Sequence, residues 1–200
     1  MPSKSKSRSK VIDDKVPFNW KLVITPLHIW TVVVVFVLDQ VTKYWVLFKI
    51  DHGFERVSVW EPWFSLVHVK NPGAAFGLFA DLSLVGRILI FGSVTIVCVW
   101  LLIYWMGTTP KVQKWQRFAF ALILGGALGN LKDRIFFQEV TDFIAVRIPM
   151  GFLKWFDSAN LPYYDWPTFN VADMGISTGV GIVLLLLVLE SRQHSKRKTS

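Results

Sequence analysis

The sequence predicts an all-α membrane protein with four transmembrane helices and a small β element on the extracytoplasmic side. Of its 200 residues, 52% are hydrophobic and ten are Trp, yet the net charge is +8. A soluble domain of this size rarely combines these values. Four apolar stretches are each long enough to cross about 30 Å of hydrocarbon as a helix. Most of the basic residues lie between or beyond these stretches, as in membrane proteins with basic cytoplasmic ends.

The first predicted span covers residues 27–48 and follows a polar, basic tail over residues 1–26. Its apolar run is too long for a cleaved signal peptide and lacks a small-residue cleavage site, so we expect a retained span. Asp39 and Lys43 lie four residues apart within it. On a helix they share one face, in the order that favours an ion pair. We expect this pair to fix helix packing rather than to take part directly in chemistry.

Residues 49–83 form the first region expected outside the membrane. Apolar and polar residues alternate over 56–60 and over 65–69, which predicts a short sheet at the interface. Pro72 and Gly73 then predict a turn. The amide of Asn71 offers both a donor and an acceptor. It suits either a turn cap or a residue that holds a peptide backbone, and the sequence does not decide between them.

Three further spans are predicted at residues 84–105, 118–137 and 170–189. Gly125, Gly126 and Gly129 remove side-chain bulk from the third span, which permits close helix approach in a bilayer. Residues 138–168 form a second exposed region, rich in the Trp and Tyr residues typical of a membrane surface. A basic tail over 191–200 ends the chain, so the predicted membrane domain covers residues 27–190.

The distribution of basic residues predicts the orientation of the chain. The N-terminal tail, the connector at 106–117 and the C-terminal tail carry 13 Lys and Arg, whereas 49–83 and 134–169 carry six. The positive-inside rule therefore places both termini in the cytoplasm. Polar residues scattered along the sequence are then expected to converge toward the outer side of the membrane. They are Asp39, Lys43, Asn71, Asp133, Asp142 and Asp173.

Paired carboxylates are the catalytic groups that this composition favours. The sequence contains no HExxH motif and no phosphate-binding loop, and its single cysteine excludes a cysteine-rich metal site, so neither metal nor cofactor is expected. Two acids in one site share a proton near neutral pH, so that one activates water while the other protonates a carbonyl oxygen. Asp173 is one candidate. The second is Asp133 or Asp142; the apolar neighbours of Asp142 favour it but do not exclude Asp133.

Other functions are compatible with parts of the sequence. Residues 175–179 match the G-x-S-x-G pattern around Ser177, but that pattern requires a preceding strand and a histidine base. Because it lies inside the fourth span, we expect helix packing there and keep a rhomboid-like serine protease as an alternative. A small transporter and a scaffold are the non-enzymatic alternatives. No nucleic-acid partner is expected, since the Lys and Arg residues lie beside hydrophobic spans.

Five short motifs occur in a fixed order along the chain. They are Asp39-Gln40-x-x-Lys43, Asn71-x-Gly73-Ala74-Ala75-Phe76, Gly125-Gly126-Ala127-x-Gly129-Asn130-x-x-Asp133-Arg134, Val140-x-Asp142-Phe143 and Phe169-Asn170-x-Ala172-Asp173. Over about residues 27–190 the chain thereby resembles lipoprotein signal peptidases, also called signal peptidase II. The resemblance implies a four-helix aspartyl peptidase of the bacterial inner membrane. Such an enzyme removes the signal peptide of a prolipoprotein just before a diacylglyceryl-modified cysteine.

The resemblance also implies roles for individual residues. It makes Asp142 and Asp173 the catalytic pair, with Asp133 a structural neighbour paired with Arg134. Its substrate-binding or site-supporting residues are Asn71, Gly73, Asn130, Asp133, Arg134, Asn170, Ala172, Asp39 and Lys43. The implied partners are a diacylglyceryl-prolipoprotein and membrane phospholipid, with no obligate protein partner. The chain departs from the family pattern at Thr141, where Val is usual, and in a segment at 145–168 that is longer than typical.

Overall fold

The computed structural model describes residues 17–53, 56–72, 83–149 and 163–199. These residues form five helices and one sheet. The helices are α1 (Trp20–Val23), α2 (Pro26–Lys49), α3 (Leu84–Thr108), α4 (Lys114–Phe137) and α5 (Val171–Thr199). The strands are β1 (Arg56–Trp60), β2 (Phe64–Asn71), β3 (Val140–Pro149) and β4 (Tyr163–Asp165).

Three stretches of helix are long and apolar enough to cross a membrane: Pro26–Lys49, Leu89–Thr108 and Val171–Gln193. They correspond to the first, second and fourth predicted spans. The third predicted span lies in α4, which is as long as α2 but is not among the three. Polar and charged residues at both of its ends lower its mean hydropathy.

The α4 helix lies at the centre of the helix bundle and packs against α2, α3 and α5. Its glycines permit this packing, because side chains there would collide with the neighbouring helices. A Cβ at Gly125 would lie 2.9 Å from the Cβ of Val35, and one at Gly129 would lie 2.6 Å from a carboxylate oxygen of Asp39. The close approach predicted from these small residues is confirmed.

The sheet has the strand order β1-β2-β3-β4, and each pair of neighbours is antiparallel. The first two strands confirm the prediction from alternating residues. The last two lie in the region that the sequence marked only as exposed and aromatic. In β3, residues 140–143 are buried, and Phe143 packs with Val46 and Ile50 of the α2 end. Contacts with the helices therefore explain why apolar and polar residues do not alternate along this strand.

The described residues that precede α2 pack against the helix bundle. The sequence predicted them to be part of a polar, basic tail. The backbone N–H of Asn19 donates to the carbonyl oxygen of Gly107 at 3.0 Å. The buried Arg117 donates to the carbonyl oxygen of Leu22 at 2.7 Å, and the ring of Phe18 stacks on Tyr104. Apolar residues within the basic segment explain this docking. Residues 1–16 of the predicted tail lie outside the described residues.

Candidate active site

The start of α5 is hydrogen-bonded to β3, which joins two parts of the chain that are far apart in sequence. Ile144 donates its backbone N–H to the carbonyl oxygen of Phe169 at 2.8 Å, and Phe169 donates back to the carbonyl of Ile144 at 3.2 Å. This backbone pairing places Asp142 of β3 beside the first turn of α5.

Asp142 is buried, with 2% of its surface exposed. Its Oδ1 accepts a hydrogen bond from Asn170 Nδ2 at 2.7 Å, and its Oδ2 accepts one from Asn71 Nδ2 at 3.0 Å. The pKa of Asp142 is raised to about 6, chiefly by burial and also by the nearby Asp173 carboxylate, against the opposing effect of the two amide hydrogen bonds and of the Lys43 charge. This carboxyl group can therefore gain and lose a proton near neutral pH.

Asp173 lies in the first turn of α5 and is only partly exposed. Its Oδ1 accepts from Asn130 Nδ2 at 2.8 Å, and its Oδ2 accepts from the backbone N–H of Asn170 at 3.1 Å. Asn170 accepts in return from the backbone N–H of Asp173 at 3.0 Å, a reciprocal helix cap. Asn170 thus precedes the helix. The predicted span at 170–189 had placed it as the first helical residue. A negative charge is favoured at this helix end.

One asparagine connects the two carboxyl groups, through its side chain on one side and its backbone on the other. The Nδ2 of the fully buried Asn170 contacts Asp142 and lies 3.2 Å from Asn130 Oδ1, while the backbone of the same residue contacts Asp173. Of the two acids considered as partners of Asp173, Asp142 is the one that this amide network joins to it.

A second buried layer supports the amide network from α2. The ammonium group of Lys43 lies 2.8 Å from Asp39 Oδ2, 2.9 Å from Asp133 Oδ2 and 2.9 Å from Asn130 Oδ1. The predicted pair of Asp39 and Lys43 is confirmed. Because the ammonium group is a donor only, it fixes the oxygen of Asn130 toward itself and leaves the NH₂ group of that amide directed at Asp173.

The expected pair of Asp133 with Arg134 is wrong. Asp133 pairs with Lys43 across to α2, and Arg134 donates to the carbonyl oxygen of Asn130 at 3.4 Å and lies over the ring of Phe91. The physical reason is helical geometry, since consecutive side chains point about 100° apart.

Two further groups complete this layer. Ala172 donates its backbone N–H to Asp39 Oδ1 at 2.9 Å, which ties the start of α5 to α2. Gln40 donates to Asp39 Oδ2 at 3.0 Å and lies 3.3 Å from an oxygen of Asp133. In the sequence, Gln40 is notable only as part of the motif Asp39-Gln40-x-x-Lys43, although a polar amide in an apolar stretch is a usable signal of a site residue. Gly73 lies outside the described residues, as do residues 150–162 of the long outer segment.

The serine-protease alternative does not fit the fold. Ser177 lies within α5 and not at a turn between a strand and a helix, as the pattern requires. His28 and His68 each bond a backbone carbonyl through Nδ1, and His52 packs against His68. Across residues 17–53, 56–72, 83–149 and 163–199, no cluster of three His, Cys, Asp or Glu residues could hold a metal ion.

Comparison with known proteins identifies similar sequences and folds. A family model described as signal peptidase (SPase) II matches residues 31–189. A protein of Syntrophus aciditrophicus named lipoprotein signal peptidase is 37% identical over 175 residues, covering 86% of this chain and 96% of that protein. One of the same name from Vibrio parahaemolyticus is 34% identical over 157 residues, covering 78% and 85%. A bacterial membrane enzyme solved by the in meso method superposes with a TM-score of 0.69 and 29% identity, covering 84% of this chain and 91% of its own.

Proposed function

Because the chain belongs to the signal peptidase II family, we propose that it is an aspartic endopeptidase in which Asp142 and Asp173 activate water. The coarser part of this function follows from the family itself: the chain is a peptidase of lipoprotein processing. Its three apolar helices make it a multi-pass membrane protein.

In the proposed topology α4 is the fourth membrane-crossing helix, and both termini are cytoplasmic. Two observations support it. The α4 helix lies among the three apolar helices, and its charged Asp133 is paired with Lys43 of α2, as expected for an ionisable group within a membrane. The basic residues concentrate in the two tails and the 106–117 connector. The candidate site then faces the extracytoplasmic side of the bacterial inner membrane.

The observation that carries the proposed mechanism is the amide bridge of Asn170 between the two carboxyl groups. Asp142, whose pKa is raised to about 6, holds the proton. Asp173, both of whose oxygens accept hydrogen bonds, is the proposed base.

Peptide hydrolysis then proceeds without a covalent intermediate. Asp173 removes a proton from water, the water oxygen attacks the scissile carbonyl carbon, and Asp142 protonates the carbonyl oxygen. When the C–N bond breaks, the leaving nitrogen takes up the proton held by Asp173, while the proton on the carbonyl oxygen returns to Asp142. The carbonyl is thereby restored as a carboxylic acid.

The proposed substrate is a diacylglyceryl-prolipoprotein, cleaved just before the lipidated cysteine. Around the scissile bond, the side chains proposed to shape the substrate site are Asn71, Asn130, Arg134 and Asn170, with Gly73 and Ala172 as further substrate-binding or supporting positions. Burying the acyl chains contributes roughly 0.8 kcal/mol per methylene, and this binding energy can order the peptide across the two acids.

The proposed function predicts cleavage that depends on the lipid. Purified protein is incubated with two precursor peptides of the same sequence, one carrying the diacylglyceryl group and one without it, and products are identified by mass spectrometry. We expect cleavage of the lipidated peptide alone, at the bond before the modified cysteine. Equal cleavage of both peptides, or cleavage of neither, would contradict the proposal.

The pKa of Asp142 predicts how activity depends on pH. Since the pKa is raised to about 6, Asp142 keeps its proton below that pH and loses it above. We expect kcat/KM to fall as the pH rises through about 6, by about tenfold per pH unit well above it. The amide of Asn71 favours the ionised form, so Asn71→Ala should move this decline to higher pH. A decline that does not move in the variant would argue against Asp142 as its source.

A further inference from the structure

A groove of about 360 Å³ lies along α5 directly beside Asp173. Three of its side chains are apolar, two carry hydroxyl groups and one is the candidate catalytic carboxylate. They are Trp166, Phe169, Met174, Ser177, Thr178 and Asp173. Because Val171–Gln193 is long and apolar enough to cross a membrane, the part of the groove below Asp173 faces a region where lipid replaces water.

The two hydroxyl groups are unusual among those of the apolar helices. Thr31, Ser93 and Thr95 each donate to the carbonyl oxygen four residues earlier, at 2.6 to 2.7 Å, which satisfies a hydroxyl without an outside partner. In the described part of the chain, neither Ser177 nor Thr178 makes such a bond, and both are exposed. A hydroxyl left unpaired in an apolar medium is unfavourable by about 2 kcal/mol or more. Both are therefore available to donate to an acceptor on a ligand.

The lining of the groove selects the kind of ligand. Aromatic and Met side chains suit a hydrocarbon chain, and two hydroxyl donors suit the carbonyl oxygen of an ester at the end of that chain. A helical signal peptide fits less well, since its backbone carbonyls are already bonded within the helix. An anionic headgroup fits less well too, because among the described residues that line the groove the charged one is the acid Asp173.

We propose that this groove binds the fatty-acyl ester of the substrate's own lipid, with Ser177 and Thr178 donating to its carbonyl oxygens. The inference rests on the proposed function. Ser177 follows Asp173 by four residues, on the same helix face and about 6 Å further along the axis. A lipid attached to the residue beside the scissile bond would reach these hydroxyl groups through a few bonds. The G-x-S-x-G segment then serves recognition of the lipid and not nucleophilic attack.

The test compares two lipidated precursor peptides that differ only in one linkage. One carries a diacylglyceryl group with ester bonds, and the other carries a dialkylglyceryl group of equal chain length with ether bonds, which lack the carbonyl oxygen. We expect wild-type protein to favour the ester by about fivefold in kcat/KM. In Ser177→Ala/Thr178→Val this ratio should fall to about one. Ser93→Ala and Thr31→Val are matched controls, because their hydroxyl groups are satisfied within their own helices, and they should keep the ratio of the wild type.

The outcomes separate this inference from the function on which it rests. If wild-type protein cleaves both lipidated peptides equally, or the double variant keeps the preference for the ester, the groove does not recognise the ester. The proposed peptidase function is then still supported. If added diacyl phosphatidylglycerol inhibits only proteins with both hydroxyl groups and no ester preference exists, the groove binds free lipid and the proposal is wrong. If no lipidated peptide is cleaved by wild-type protein, the proposed function itself fails, and this inference with it.

Discussion

Asp142→Asn and Asp173→Asn are each expected to lower kcat/KM for the lipidated precursor by about 10³-fold, within the range that general acid and base groups contribute. An amide at position 142 cannot deliver the proton that the carbonyl oxygen requires, and one at position 173 cannot take the proton from water. Each substitution keeps the size of the side chain, and at least one oxygen still accepts a neighbouring amide. Folding and membrane insertion should therefore persist.

The measurement combines single-turnover cleavage with thermal unfolding of the detergent-solubilised protein. Asp165→Asn is the matched control, because Asp165 is exposed and its ion pair is with the partly exposed Arg147. It should retain activity, since surface ion pairs contribute about 1 kcal/mol or less. Normal turnover by either of the other two variants would refute the assignment of the catalytic pair. If a variant folds poorly but its folded fraction keeps normal activity, that acid serves the structure and not the chemistry.

Lys43→Met is expected to produce the largest loss of stability of any single change in the site. Lys43 is 2% exposed and lies within 2.9 Å of Asp39 and Asp133. Removing its charge leaves the buried carboxylate of Asp39 without its cation and that of Asp133 with the more distant Lys132, at 3.8 Å. Breaking such a buried pair costs about 3–5 kcal/mol. Activity should fall as well, because Asn130 loses the contact that directs its NH₂ group at Asp173.

A set of variants separates these two effects of Lys43. In Lys43→Met/Asp39→Asn/Asp133→Asn the uncompensated charges are gone, so thermal stability should recover in large part while kcat stays low. Lys70→Met is the control, since Lys70 pairs with Glu139 at 42% side-chain exposure and should change stability by about 1 kcal/mol or less. Recovery of kcat together with stability in the triple variant would show that Lys43 acts on stability alone and does not position Asn130.

The candidate site was predictable from the sequence to the extent that local patterns report on it. Ionisable residues in apolar stretches are rare and indicate function, which identified Asp39, Lys43 and Asp173. The spacing of four residues was enough to predict the pair of Asp39 and Lys43. The choice between Asp133 and Asp142 was not predictable in this way. The apolar neighbours of Asp142 favoured it over Asp133, which lies between Lys132 and Arg134, but they did not decide the choice. Only the pairing of β3 with Phe169 brings Asp142 to the first turn of α5.

Two other features depended on contacts that no local pattern encodes. Asp133 pairs with Lys43 because α2 and α4 approach closely at Gly129, whereas sequence proximity suggested Arg134. In β3, four buried residues follow one another, and because alternation is the signal for a half-buried strand, this strand could not be recognised. Because both faces of the strand pack against other elements, its apolar and polar residues do not alternate.

The sequence by itself determined where the apolar helices lie, that β1 and β2 form strands, and which polar residues are unusual for their surroundings. These are properties of short segments, since hydropathy and periodicity act over one helix or one strand. The tertiary structure alone decided that Asn170 bridges Asp142 and Asp173, that Lys43 serves two acids and one amide, and that Ser177 lines a groove. These depend on which segments pack together, and that packing is set by the sum of contacts over the whole fold rather than by any one segment.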